Sequence, residues 1–368
     1  MAGKRGPCLP ENKEGNGMAD VSQFRGTLLA EACGDALGLP LDKLGVSRIK
    51  KQFGPFGLRT LMRTQKSRYV AQISANTQMM LATADGLFWA DAKHLECSEG
   101  IYRGYMRWFY SQTGEEPRRG QRTWMRRQPH ERDFCLVREK FMHARRSVGE
   151  TSLAALESSE PGSLKNKVND VGNSEPLPRS GPIGLVYAGK PREAFYEGVR
   201  SAVFTHSNPV SYLSAASVAY LVASLAGGLS LPKSLAGLIL LLNGMDYTDS
   251  ITATLEAAIQ QANDHPAGKE EAWSHLDSIR SLGTGDAANE ALAIAVYCIM
   301  ACDDPFEAMI AAANHDGKSS VTAALTGLFE GVRFGDTFLP ASWLASLESE
   351  KLIGNVGEKL YATYEKAN

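Results

Sequence analysis

The stretch "FRGTLLAEACGDALGLPLDKL", Phe24 to Leu44, sets apolar side chains three and four residues apart with hardly any alternation. That is the spacing of one helix face, not of a half-buried strand. The same signature recurs in "TQMMLATADGLFWA" (Thr77 to Ala90), "KPREAFYEGVRSAVF" (Lys190 to Phe204), "NEALAIAVYCIMA" (Asn289 to Ala301), "DPFEAMIAAANH" (Asp304 to His315) and "VTAALTGLFEGVRF" (Val321 to Phe334). Strand signals are sparse, so the expected fold class is all-α. Several of these segments are rich in Ala, Gly and Ser, which lets backbones approach closely. A compact multi-helix globule follows, without an internal repeat of fixed period.

A chain of 368 residues, 43% apolar, can bury one large core or two modest ones. Its formal net charge of -2 offers no global electrostatic attraction to nucleic acid or to a membrane surface. The six cysteines show no CxxC spacing, and Cys298 and Cys302 fall four apart in an apolar helical run that would bury them as small hydrophobes. A reducing cytoplasm is the expected location. Residues 1–20 lack the apolar segment of a secretory signal and read as a disordered leader, leaving 21–368 as a single domain. The most apolar region, Val210 to Gly244, is divided by Gly227-Gly228, Pro232 and Lys233 into pieces expected to be core helices too short to cross a bilayer. Glu157 to Pro182, dense in Gly, Pro, Ser and Asn, reads as a long loop.

Three segments carry a resemblance: "RGTLLAEACGDALGLPLDKL" (Arg25 to Leu44), "ISANTQMMLATADGL" (Ile73 to Leu87) and "NHDGKSSVTAALTGLFEGV" (Asn314 to Val332). With "RSGPIGLVYAG" (Arg179 to Gly189), "THSNPVSYLSAA" (Thr205 to Ala216) and "NEALAIAVYC" (Asn289 to Cys298) in the same order, the chain resembles the ADP-ribosylglycohydrolase family. The resemblance implies an all-α fold with a binuclear Mg²⁺ site that cleaves ADP-ribose from a modified side chain. Mg²⁺ takes oxygen ligands in near-octahedral geometry, and a metal pair can orient the sugar and activate water.

The carboxylates that the resemblance would supply are mostly replaced. The family's Ser/Thr-Asp-Asp-Thr is here Ser74, Ala75, Asn76 and Thr77, and its Gly-Gly-Asp-Ser/Thr-Asp-Ser/Thr aligns with Asp316, Gly317, Lys318, Ser319, Ser320 and Val321. A further family acid is represented by Asp42. Asp42, Ala75, Asn76, Lys318 and Ser320 are therefore degenerate family positions. No catalytic residue, metal or cofactor is expected from them. Ser74 and Asn76 read as helix N-caps. The Lys318 ammonium is expected against Asp42, or against Asp316, in place of a metal.

Thr77, Arg179, His206, Gly317 and Ser319 stand where the resemblance would put substrate contacts. The family's phosphate-cradling glycine run becomes Asn169 to Arg179, in which Glu175 opposes a diphosphate and Pro176 and Pro178 remove backbone donors. ADP-ribose binding is expected to be weak or absent. His206 reads as a hydrogen-bonded core histidine, with a residual pocket contact as the alternative. Asp286, beside Gly283 and Gly285, replaces a family Trp. The basic stretch Glu115 to Arg146 places Arg118, Arg122 and Arg126 where one helix face could carry them, and reads as a solvated face without a nucleic-acid signature.

The expectation is thus a catalytically silent relative that acts by binding an unidentified protein partner. A hydrolase with a changed, metal-independent reaction and a structural, crystallin-like role are the alternatives. Membrane and nucleic acid are not expected partners.

Overall fold

The computed structural model describes residues 19–42, 44–63, 70–115, 120–158, 160–265 and 272–367. The helices of the first half are α1 (Val21–Gly38), α2 (Val46–Phe53), α3 (Ala75–Lys93), α4 (Cys97–Thr113), α5 (Glu150–Glu157), α6 (Gly181–Val186), α7 (Pro191–Ala202) and α8 (Pro209–Ala226). The second half adds α9 (Leu231–Leu242), α10 (Asp249–Asp264), α11 (Leu276–Leu282), α12 (Ala288–Ala301), α13 (Pro305–Ala313), α14 (Ser319–Phe334), α15 (Ala341–Leu344) and α16 (Glu350–Ala367). Among the described residues there is no strand, only isolated bridges between Ala71 and Leu347 and between Asn173 and Ala287. The fold is all-α.

Local chemistry sets the helix starts. Asp20 and Gln23 form a reciprocal box at the head of α1, with Gln23 N donating to Asp20 Oδ1 at 2.9 Å and Asp20 N donating to Gln23 Oε1 at 3.0 Å. Asn208 and Asp304 accept from Val210 N and Phe306 N, with Pro at the first helical position of α8 and α13. Ala19 is buried and Asp20 caps α1, so these two residues, assigned to the leader, belong to the folded body. The rest of the expected leader lies outside the described residues.

The centre of the molecule is α1 packed along α14. A Cβ added at Gly34 would lie 2.1 Å from Ala323 O, and one at Gly331 would lie 2.2 Å from Gly26 O, so the two backbones touch where side chains are absent. This proximity brings the C-terminal end of α1 beside the start of α14. One apolar cluster extends from Ala19 to Leu360 and includes Cys298 and Cys302, as their spacing predicts. The apolar region after Val210 forms α8 and α9. Contrary to the expected short pieces, α8 has 18 residues and is long and apolar enough to cross a membrane, but 83% of that window is buried inside the protein. It is a core helix.

The basic stretch does not make the expected helix. Arg122–Met125 is a short 3₁₀ turn, Arg122 and Arg126 are exposed, and Arg118 lies outside the described residues. The same stretch buries Leu136, Phe141 and Met142, and Trp124 meets Trp89 and Tyr102 edge to face. Its apolar side is therefore core, Arg122, Arg126, Arg127, Arg132 and Arg138 are exposed, and Arg146 is half-buried against Glu348.

Candidate functional site

Three chain segments converge at the junction of α1 and α14. The last turns of α1 supply Glu31 and Asp35, both fully buried, and Asp42 follows on the turn beyond. The start of α3 brings Ser74 to Thr77. Asp35 accepts from Ser74 N at 2.7 Å, Ser74 Oγ at 2.6 Å, Thr77 Oγ1 at 2.7 Å and Asn76 Nδ2 at 3.2 Å. The start of α14 brings Ser320, whose N and Oγ donate to Asp42 at 2.9 and 2.7 Å. Asn76 Nδ2 also lies 3.4 Å from Ser320 Oγ, so a neutral amide and a hydroxyl span the space between the two acids. The expected convergence of these segments is present.

Ser74 does cap α3, accepting from Asn76 N at 3.1 Å. Asn76 does not: it is the second residue of the helix and its amide points to Asp35. Ala75 is buried beside it. Burial raises the pKa of Asp35 and of Asp42 despite the donors around them, and burial followed by the nearby Asp35 raises Glu31 strongly. Glu31 Oε1 has no hydrogen-bond partner among the described residues.

Lys318 is placed differently from expectation. Its Nζ lies 3.7 Å from Asp286 Oδ1, and both side chains are substantially exposed. Asp316 points away, accepting from Val46 N at 2.7 Å and pairing with Arg280 at 2.7 Å. The four-carbon stem of Lys318 reaches solvent and the exposed acid, sparing the ammonium the desolvation that contact with Asp42 would require. Lys318 still acts on Asp42 at a distance, opposing the rise that burial causes. Gly317 packs on the 283–287 loop, where a Cβ would lie 1.8 Å from Thr284 O. Ser319 is buried and its Oγ has no hydrogen-bond partner among the described residues.

The long loop before α6 is ordered by side-chain bonds. Arg179 is buried, lies over the Tyr105 ring at 4.6 Å, and donates to Thr205 Oγ1. Thr205 Oγ1 lies 2.8 Å from His206 Nδ1, and His206 Nε2 lies 2.9 Å from Asn173 Oδ1. His206 is thus a hydrogen-bonded core histidine, and burial followed by the Arg179 charge holds its pKa well below the ordinary value. Glu175 accepts from Ser152 N and Oγ and from Asn173 Nδ2. Ser174 N donates to Asp286 O at 2.9 Å and Lys318 N donates to Thr284 O at 2.8 Å. The 283–287 loop therefore joins the two polar clusters.

One further group escapes a reading by motif. Asp85, His130 and Glu131 present ligand atoms close enough to share a metal ion. Arg107 lies among them, with Nη1 2.7 Å from Asp85 Oδ2 and Nη2 2.5 Å from Glu131 Oε1, and His130 Nε2 is 3.3 Å from Asp85 Oδ1. Burial alone would raise Asp85, but Arg107 and His130 outweigh it and lower the pKa. The guanidinium already supplies the positive charge that a metal would bring. His130-Glu131 and Asp85 have no informative spacing along the chain, and only the packing of α3 on α4 beside Gly86 brings Asp85 to Arg107.

Fold and site together define an all-helical protein whose polar centre is assembled at the starts of two helices beside the end of a third. The chain belongs to the ADP-ribosylglycohydrolase family, whose sequence profile matches residues 17–368. It is 24% identical over 376 residues to the ADP-ribosylarginine hydrolase Tri1 of Serratia proteamaculans (strain 568), covering 96% of this chain and 82% of that protein. A solved structure titled ADP-ribosylglycohydrolase-related protein complex superposes with a TM-score of 0.63 at 18% identity, covering 94% of this chain and 98% of that one. That likeness establishes the fold.

Proposed function

We propose that this chain is an ADP-ribosylglycohydrolase-like pseudoenzyme that does not perform Mg²⁺-dependent cleavage and acts by binding a protein partner. The observation that carries the reading is the network Asp35, Asn76, Ser320 and Asp42, in which an amide and a hydroxyl stand between two carboxyls. The donor set does not fit a Mg²⁺ pair. Asp35 and Asp42 already accept from backbone and side-chain donors, Ala75 offers no ligand, and Lys318 adds positive charge nearby. Glu175, Pro176 and Pro178 on the 169–179 loop support weak or absent ADP-ribose binding for the same chain.

The name of the Serratia relative makes ADP-ribosylated arginine the substrate class on which the reading should be tested. The expected result is no release of ADP-ribose above a no-enzyme control, and no saturable rise of Tm with millimolar Mg²⁺ or Mn²⁺, since binding to the native state alone would raise it. Metal-dependent turnover that disappears in Asp42→Asn would overturn the proposal. A second reading, a metal-independent hydrolase, is favoured by one observation, the burial-raised pKa of the partly accessible Asp42. Turnover in EDTA that Asp42→Asn abolishes would select it.

A further inference from the structure

The segment from Gly120 to Arg146 concentrates positive charge on a frame without an α-helix. It holds seven arginines and one lysine against Glu131, Asp133 and Glu139, a formal net charge of +5 in a chain whose total is -2. Glu131 is buried on Arg107, so it does not shield the arginines outside. Arg126, Arg132, Arg138 and Lys140 are exposed, and no carboxylate among the described residues pairs with them. Arg127 is also exposed and spends its donors on the carbonyls of Glu131 and Arg132, at 2.8 and 2.6 Å, which neutralise none of its charge. Like charges therefore stand together without an internal counter-ion.

The frame is tied to the core although its only regular elements are the 3₁₀ turns Arg122–Met125, Leu136–Arg138 and Lys140–His143. Gln78 Nε2 on α3 donates to Phe141 O at 2.7 Å and to Ala144 O at 2.9 Å, and Ser111 Oγ on α4 donates to Met142 O at 2.8 Å. Leu136, Phe141 and Met142 are buried beneath it. A long connection built this way holds its charges in place before any partner arrives, which lowers the ordering cost of binding. Its end reaches the candidate site, where Ala75 N at the start of α3 donates to Arg146 O at 3.1 Å.

The chemistry of the surface says which anion fits it. All but one of the cations are arginines, and a guanidinium pairs bidentately with a carboxylate and gives up its water more readily than an ammonium. Trp124 packs on Trp89 and Tyr102, and Phe134 on Phe88, so the segment presents no exposed aromatic ring on which a nucleobase could stack. Exposed Asp133 interrupts the cations, which opposes a continuous phosphate track and suits a partner of mixed charge. We propose that Gly120 to Arg146 is the docking surface for an acidic segment of a protein partner, whose Asp and Glu carboxylates pair with Arg126, Arg132 and Arg138. The proposal deepens the reading above and rests on it for the existence of a protein partner. It adds that partner's chemistry and its seat beside the start of α3.

A labelled peptide of alternating Glu and Gly is the probe, titrated with the full chain and followed by fluorescence anisotropy at low ionic strength, where exposed charges are least screened. The triple variant Arg126→Glu, Arg132→Glu and Arg138→Glu is expected to raise the apparent Kd at least about tenfold. The control triple Lys51→Glu, Lys93→Glu and Lys351→Glu makes the same change of net charge on exposed side chains elsewhere, and should raise it about threefold or less. Both triples should keep the parent's Tm; if the arginine reversals lower it, the corresponding Arg→Gln triple reads the same surface. Hydrogen exchange with the peptide bound should show added protection between Gly120 and Arg146. Equal weakening by the two triples, or no saturable binding by the parent, overturns the proposal. So does a single-stranded oligonucleotide of matched charge that binds the parent more tightly than the peptide and is lost in the arginine triple. None of these outcomes touches the pseudoenzyme reading, whereas metal-dependent release of ADP-ribose by the parent overturns that reading and leaves the peptide result standing.

Discussion

At the scale of single residues, Asp35 and Lys318 show how differently two charged side chains at one junction contribute. Asp35 is the acceptor for the backbone and hydroxyl of Ser74, the hydroxyl of Thr77 and the amide of Asn76. Removing it leaves several buried donors unpaired, each worth about 1–3 kcal/mol and not additive. Asp35→Ala is therefore expected to lose about 3 kcal/mol or more in denaturant unfolding, and a loss below about 1 kcal/mol would contradict the network. Lys318 pairs at 3.7 Å with an Asp286 that is mostly exposed, an arrangement worth about 0–1 kcal/mol. Lys318→Met should shift the denaturant midpoint only slightly, and a double-mutant cycle with Asp286→Asn should return a coupling below about 1 kcal/mol. Strong coupling in the corresponding cycle of Lys318→Met with Asp42→Asn would restore the internal-cation expectation that the geometry corrects.

At the scale of elements, the α1 and α14 pair positions everything else, because the acids leave the end of one helix and Ser320 opens the other. Their closeness depends on missing side chains. Gly34→Ala would drive a methyl to within 2.1 Å of Ala323 O, a backbone atom that cannot step aside without moving α14. Overpacking of this kind costs about 1–3 kcal/mol, sometimes more, and should also loosen the Ser320 to Asp42 bonds. Gly120→Ala is the control, since a Cβ there meets nothing within 4 Å among the described residues, and it should change stability by no more than about 0.5 kcal/mol. Equal effects in the two variants, measured by equilibrium unfolding, would refute the close-packing account.

At the scale of the whole molecule, burial of ionisable groups makes stability depend on pH with opposing signs. Glu330 is buried on α14 with its pKa raised to about 7, chiefly by burial, while Arg333 at 2.7 Å resists the shift. A raised native pKa means that the native state holds a proton the unfolded state has released. This contribution is complete below about pH 4.5 and is lost as pH rises to about 7, a range worth ~3 kcal/mol. His275 and His315, lowered to about 4 mainly by burial, act the other way and lose stability as pH falls below about 6.5. Glu330→Gln isolates one sign: the stability of the variant relative to the parent should rise from pH 4.5 to 7. A flat difference across that range would show that Glu330 is ionised at no cost in the native protein.

The helical class was legible because a 3.6-residue period is a local property, written into Phe24 to Leu44 and repeated to Phe334 without reference to any partner. The meeting of α1, α3 and α14 was legible only through resemblance, since no local rule relates Asp35 to Asn76 or Ser320. The sequence also showed which residue types stand at the junction, and the resemblance implied that Glu175, Pro176 and Pro178 lie in a run that is glycine-rich in the family. Tertiary structure alone decided where each charge ends. Lys318 turns to exposed Asp286 because a flexible stem can avoid desolvation, Asn76 gives up capping because a buried carboxylate needs its amide, and Arg107 settles between Asp85 and Glu131. Electrostatic energy depends on distance and burial, and neither is a function of separation along the chain.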